Sequence, residues 1–272
     1  MIEIEGGPGR LSWASLRELW QFREVQSAFV ARQLKVRYKQ AVVGAGWVVL
    51  QPLISAAIFA LFIGRYAGVS SEGVPYMLFA LGGTAVWGYF SGAANTGSES
   101  LIANQNLLRK VYFPREILPL AAVLSGLVDL VIGLAVLIVV SFAYGIPPHL
   151  SWLALPLPIF ILVGFAGAFA VGLSSLNIYY RDVRYVLPFL IQLGLLASPI
   201  AYSLAAVPSS WRTLYAILNP IGGAVDGMRR IVVHGVWPDP VTGFGALGWS
   251  WFLFLVAYTL FKRLERGYSD RV

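Results

Sequence analysis

The chain of 272 residues contains no cysteine, only two histidines and only 13 acidic residues. Each shortage excludes something. Without thiols there are no disulfides and no thiolate metal sites, and cysteine usage gives no clue to redox compartment. His149 and His234 have no carboxylate near them in sequence apart from Asp239. No acid–base pair, metal cluster or nucleophile with its base therefore stands out. No stretch of the form GxxxxGK[ST] occurs, so the chain has no Gly-rich loop whose backbone amides would cradle nucleotide phosphates. Residues 1–40 are rich in charge and lack an apolar core segment, which predicts a retained N-terminus and no cleaved signal peptide.

Charge is scarce too, at 12% of residues against 58% hydrophobic. With a mean hydropathy of +0.71, that composition lies outside the range of soluble domains and indicates an integral membrane protein. Crossing a hydrocarbon core takes ~20 helical residues, and six runs qualify. They extend from Ala41 to about Ile63, about Val74 to Gly97, Ile117 to Tyr144, Trp152 to about Ile178, Tyr185 to about Val207, and Val241 to Phe261. The runs are continuously apolar and do not alternate, so helices are expected and barrel strands are not. The expected fold is all-α and polytopic, with residues 1–40 forming a separate amphipathic region ahead of a transmembrane domain at 41–272.

Lys and Arg divide sixteen to four between the two sides of these spans. The richer side holds the N-terminal segment, Arg109, Lys110 and Arg115 after the second span, Arg181 and Arg184 after the fourth, and the tail. The poorer side holds Arg65, Arg212, Arg229 and Arg230. The positive-inside rule puts both termini in the cytoplasm. It also accounts for the net charge of +7 without invoking nucleic acid. Arg181, Asp182 and Arg184 then form a short cytoplasmic turn, since a buried relay would need further ionisable groups along the spans. Asp129 is the one acidic residue inside a span. With no basic partner in the neighbouring runs, it stands equally as a functional carboxylate and as a structural group.

Three stretches outside the spans are patterned. Ser15 with Glu18 fits a capping box, and Phe29, Val30 and Leu34 share a helical face away from Arg32, Lys35 and Lys39. Such a helix suits a membrane surface with anionic headgroups, and packing on the rest of the protein is compatible with that. Between the second and third spans a polar helix is expected from Ser98 to Val111, ended by Pro114. Between the fifth and sixth, 13 uncharged residues separate Arg212 from Asp226 and include Asn219, Pro220, Gly222 and Gly223. That is too short to span. A segment dipping into the outer leaflet and a helix lying on the outer surface both fit.

The stretches "RYKQAVVGAGWVVLQPL" (37–53), "NLLRKVYFPREILPLAAVLSGLVDL" (106–130), "YYRDVRYVLPFLIQLGLLASPIAYSL" (179–204), "LNPIGGAVDGMRRIV" (218–232) and "FKRLERGYSDRV" (261–272) carry a resemblance. Together they resemble the membrane subunit of ABC-2 type polysaccharide exporters, the permeases for O antigen, capsule or teichoic acid. The resemblance runs in order from Arg37 to the end. It implies six helices forming half of a transporter, a second copy of the chain completing it, and two copies of a separate cytoplasmic ABC ATPase subunit that bind ATP and Mg. It implies further that Asn106, Arg109, Lys110, Pro114 and Arg115 belong to a coupling helix docking on the ATPase, with Arg181, Asp182 and Arg184 as the second contact. The N-terminal helix with Arg32, Lys35 and Arg37 becomes a gate at the cytoplasmic entrance. Leu214 to Met228, with Asn219 and Pro220 and followed by Arg229 and Arg230, becomes a pair of re-entrant outer gate helices.

A lipid-linked glycan needs a pathway that grips no single sugar. Aromatic faces offer sliding contacts, and hydroxyl-bearing side chains offer exchangeable hydrogen bonds. Trp87, Tyr89 and Phe90 in the second span are candidates, with Tyr179, Tyr180 and Tyr202, although Trp and Tyr also collect at membrane interfaces regardless of function. A membrane enzyme acting on polyprenyl-linked sugars would need the catalytic constellation that the sequence lacks. A passive anchor would have no use for a polar aromatic second span. A drug or small-lipid exporter of the same type is the closer rival.

Overall fold

The computed structural model describes residues 13–39, 45–180, 182–265 and 267, with the side chains of 13–16 and 45 left aside. Arg181, residues 41–44 of the expected first span, the side chain of Ser15, Arg266 and Arg271 therefore lie outside the described residues. Helices dominate, and no strand occurs among the described residues. In chain order they are α1 (Trp13–Gln21), α2 (Arg23–Lys39), α3 (Ala45–Phe59), α4 (Tyr76–Ala103), α5 (Gln105–Leu108), α6 (Ile117–Ala143), α7 (Pro156–Tyr179), α8 (Val183–Ala197), α9 (Ser209–Leu218), α10 (Pro220–Val232) and α11 (Pro240–Glu265). A π-helical stretch, Ala60–Tyr66, extends α3, and a 3-10 turn, Leu150–Ala154, leads into α7.

Each of the six expected spans is met by a helix. Among the described residues four helical segments are both long and apolar enough to cross a membrane: Gly46–Tyr66, Ile117–Ala143, Leu150–Tyr179 and Pro240–Glu265. At 28 residues α4 has the length, but its Gly, Ser, Thr, Asn, Trp and Tyr residues dilute its apolar character. At 15 residues α8 is a shorter apolar helix, about 22 Å long. The sequence reading carried this fifth span on to Val207. It ends earlier because Pro199 disfavours helical geometry at the preceding residue, and Ser198 is extended there (φ −99°, ψ 149°).

Proline also sets helix starts. Pro156 and Pro220 stand in the first turn of α7 and α10, where the missing N–H costs nothing. Asn219 caps α10 by accepting from Gly222 N at 3.2 Å, and Asp239 caps α11 by accepting from Thr242 N at 2.8 Å.

The architecture is centred on α4, which packs against α3, α6, α7, α8 and α10, while α11 lies along α7. In a bilayer, helices gain little from the hydrophobic effect between themselves and associate by close packing of small residues. Gly97 of α4 shows this: a Cβ there would lie 2.4 Å from the Ala170 Cβ on α7. Large apolar side chains on α3 and its π-helical extension, α8 and α11, among them Ile54, Phe62, Phe189, Leu196 and Phe252, point outward and remain exposed. Apolar surface of this kind is what a bilayer or a packed neighbouring subunit covers.

The N-terminal helix α2 runs lengthwise along the first half of α6. Gln33 accepts a hydrogen bond from Ser125 at 2.8 Å, and one turn on, Arg37 pairs with Asp129. Matching i, i+4 steps on two parallel helices thus stay in register. The lower part of the arm rests on the loop after α5 through Phe29 against Phe113 (5.5 Å) and Phe22 against Tyr112 (6.5 Å).

Candidate functional site

A cavity of about 750 Å³ opens between the end of α2, α3, α4, α6 and α8. Its wall combines the rings of Trp47, Trp87 and Tyr89 with the hydroxyls and amides of Gln51, Ser55, Thr84, Ser91 and Asn95. On α4, residues 84, 87, 88, 91, 92 and 95 follow a helical i, i+3, i+4 pattern, so one face of that helix supplies much of the lining. Tyr89 is 2% exposed, and its hydroxyl has no hydrogen-bond partner among the described residues. A buried hydroxyl left in that condition is costly unless something else satisfies it.

Among the described residues, the charged side chains in this wall are Arg37 and Asp129. Arg37 donates to one carboxylate oxygen of Asp129 and Tyr38 to the other. Both side chains of the ion pair are half-buried, at 30% and 25% exposure. No neighbouring span supplies a basic partner to Asp129, as expected, yet the carboxylate is paired. The partner comes from the N-terminal arm, 92 residues away, and not from a neighbouring span.

The other expected pathway residues are dispersed. Phe90 is buried in a ring cluster, stacked on Phe165 at 5.1 Å and edge-on to Phe169 at 5.2 Å. Tyr179 donates to the Leu264 carbonyl at 2.8 Å, at the loop end of α11. Tyr180 is exposed. Tyr202 lies at the opposite end of the bundle, its hydroxyl 3.0 Å from that of Tyr215.

At the end where α4 and α7 finish and α6 begins, the helix expected from Ser98 to Val111 is divided. Its first part continues α4 to Ala103, Asn104 breaks the geometry, and α5 is a single turn. Asn106, Arg109 and Lys110 are exposed, Arg115 is half-buried and Pro114 is buried. Arg32 reaches Asn104 at 3.3 Å, and Lys35 is exposed. Asp182 and Arg184 are exposed, with Arg184 3.7 Å from Glu99 of α4.

The opposite end is built differently. Arg229, on α10, is 3% exposed. It donates to the carbonyls of Phe79 (3.0 Å), Pro199 (2.8 Å), Ile200 (2.6 Å) and Tyr202 (3.3 Å) and stacks on the Phe79 ring. Its side chain is sequestered in the backbone, and three of the four carbonyls that it binds, those of Pro199, Ile200 and Tyr202, belong to the break after α8. Gly83 makes room for that break, since a Cβ there would lie 2.8 Å from the Ile200 carbonyl oxygen. Arg230 donates to the Trp237 carbonyl at 3.4 Å and lines a second, polar cavity of about 610 Å³ with Glu72, Arg212, Asp226, His234 and Asp239. Asn219 and Pro220 form the joint between α9 and α10.

Glu72, in the loop before α4, accepts a hydrogen bond from Ser203 and lies 3.2 Å from His234. Contact with His234, then the Ser203 hydroxyl and the field of Arg229, hold its carboxyl down at about 2 against partial burial. Nothing in the local sequence announced this cluster, because its members come from three separate connections.

The described residues thus form a multi-pass bundle with an aromatic and hydroxylic cavity and a basic loop end. The sequence model of the ABC-2 type transporter family matches residues 26–233, and the chain belongs to that family. It is thus a transport membrane subunit, not itself catalytic, whose family works with an ABC ATPase subunit. Among curated proteins it is similar to the O-antigen export system permease protein RfbA of Myxococcus xanthus, 26% identical over 260 residues, covering 94% of this chain and 98% of that one. It is also similar to two proteins of the same description from Klebsiella pneumoniae. One is 30% identical over 249 residues (88% of this chain, 91% of that one) and the other 31% over 208 residues (75% and 78%).

Proposed function

We propose that this chain is the membrane subunit of an exporter of lipid-linked polysaccharide, O antigen in particular, in the cytoplasmic membrane of a bacterium. Similarity to three O-antigen export permeases, in one case over 98% of the relative's length, carries the reading. The chemistry of the larger cavity supports it: rings against which sugar C–H faces slide, and hydroxyls and amides that exchange hydrogen bonds. Two copies of the chain form the pathway, and two copies of a separate ABC ATPase bind ATP and Mg on the cytoplasmic side, where both termini lie. The exposed Asn106, Arg109 and Lys110 dock on the ATPase, with Pro114 and Arg115 shaping the same coupling loop beneath them, and the Arg181–Arg184 turn makes the second contact. Closure of the ATPases on ATP moves these loops, and the two copies re-pack to pass the chain outward. Arg32, Lys35 and Arg37 guard the inner entrance, while α9 and α10, with Asn219, Pro220, Arg229 and Arg230, close the outer side. Trp87 and Tyr89 contact the passing glycan. Phe90, Tyr179, Tyr180 and Tyr202 support the pathway from outside the cavity wall.

The test is deletion of the gene in its host, restored with the native sequence or with Arg109→Glu/Lys110→Glu, followed by analysis of surface glycan and of lipid-linked glycan retained inside. Export requires that deletion empties the surface and traps the intermediate, and the trapped glycan identifies O antigen, capsule or teichoic acid. The double variant should insert normally but fail to restore export. An unchanged surface with nothing trapped rejects the glycan and favours a drug or small lipid as cargo.

A further inference from the structure

One buried charge cluster plays no part in the cavity. Glu116, just after the basic loop and directly ahead of α6, is 1% exposed. Its carboxylate accepts from Tyr258 at 2.9 Å and from Lys262 at 2.9 Å, both on α11. Lys262 also donates to Glu265 at 3.0 Å. The preceding residue, Arg115, donates to the Glu265 backbone carbonyl at 3.4 Å. On the other flank Tyr179, the last residue of α7, donates to the neighbouring carbonyl of Leu264. Gly267 completes the contact, because a Cβ there would lie 2.4 Å from the Tyr179 hydroxyl.

The final turn of α11 is therefore held from both sides. One side is the root of the loop that contains Arg109 and Lys110; the other is the residue from which the turn containing Asp182 and Arg184 departs. A carboxylate so enclosed, with a cation and a phenol bonded to it, resists separation, since removing one partner leaves the other charge buried and unpaired. Packed, hydrogen-bonded contacts of this kind are what carry displacement between elements.

We infer that the end of α11 ties the two ATPase-facing loops into a single moving body, with Glu116 as its central positioning residue. The inference rests on the assignment of those loops under the proposed function. Glu116 is a positioning residue because its side chain points into the bundle, away from any docking surface. Its task is to make one loop follow when the other is pushed, so that a stroke delivered at either reaches α6, α7 and α11 together.

The experiment uses the complex of the chain with its ATPase subunit. The native chain has no cysteine, so spin labels are introduced at Val111 and Tyr185, both exposed. Labelled chains are diluted with unlabelled copies, so that distances within one chain are read. The native protein should give one narrow distance distribution that keeps its width when ATP is added. Glu116→Gln and the milder Tyr179→Phe should each broaden it while the ATPase subunit still co-purifies at the native level. Glycan exported per ATP hydrolysed should fall roughly tenfold in Glu116→Gln, a size typical of coupling between separate sites, and less in Tyr179→Phe. Lys262→Met should add nothing further in the Glu116→Gln background. Unchanged widths with native export per ATP would overturn the proposal, as would export losses that merely follow the amount of assembled complex. If Glu116→Gln fails to fold, Tyr179→Phe decides alone. Should deletion of the gene leave surface glycan untouched, the cargo reading fails, while the distance measurement, which needs no cargo, still tests the tie.

Discussion

Arg37 and Arg229 are both arginines in an apolar bundle, yet they are held in opposite ways. Arg229 has backbone carbonyls around its guanidinium and is 3% exposed. Arg37 has one carboxylate and one neighbouring tyrosine sharing it, and is 30% exposed. The first arrangement uses most of the five donors of the guanidinium fork and takes the place of helical hydrogen bonds lost after Ala197. The second is a pairwise contact between two helices that each satisfy their own backbone. An arginine caged by carbonyls is part of the backbone's hydrogen bonding and has no substitute; an arginine paired with a carboxylate is replaceable, provided both partners go together.

The most damaging way to probe this difference is Arg229→Met. It leaves the carbonyls of Pro199, Ile200 and Tyr202 without their donor, and the expected loss is about 3–5 kcal/mol, measured as a fall in melting temperature of the detergent-solubilised chain. Asp129→Ala comes next. It strands a half-buried guanidinium beside the cavity and should cost about 2 kcal/mol, together with faster proteolysis of α2 as the arm detaches from α6. A loss as large as that of Arg229→Met would erase the distinction.

A smaller effect is expected at the opposite end from Glu72→Gln, about 1 kcal/mol once solvent screening of this partly exposed site is allowed for. The carboxyl of Glu72 is lowered from its ordinary 4.5 to about 2. Its contribution is then complete above 4.5 and is lost as pH falls through about 2. The difference in melting temperature between native and Glu72→Gln chains should close as pH falls from about 4.5 to about 2. The smallest effect belongs to the pair Arg37→Met/Asp129→Leu. Removing both charges should leave stability within about 1 kcal/mol of native, whereas no single companion substitution should rescue Arg229→Met.

Much of the fold was legible because span length, proline and charge are local signals. The third span was placed at Ile117 to Tyr144, and α6 covers Ile117–Ala143; the sixth, Val241 to Phe261, lies inside α11. The fifth was drawn too long because "LLASPIAYSL" is apolar throughout, and hydropathy does not register that Pro199 turns the backbone at Ser198. The cavity was legible in part. Trp87 and Tyr89 stood out by composition, but nothing in the sequence separated them from Phe90, which turns into a buried ring cluster one residue on. Trp47 and Gln51 were not singled out at all, since their role depends on how α3 lies beside α4. The partners of Asp129, Glu116 and Arg229 were invisible for one common reason. Each lies 27 or more residues away, and Arg229 is bound by main-chain carbonyls, which carry no residue identity.

Around the larger cavity Arg37 and Asp129 neutralise one another at contact distance, so the charged part of the wall is a dipole with no net monopole. The potential of a dipole decays faster with distance than that of a single charge, and counterions shorten its reach further. Well beyond the separation of the two charges the wall therefore carries little net field, and what the cavity presents there is local hydrogen-bonding groups and ring faces.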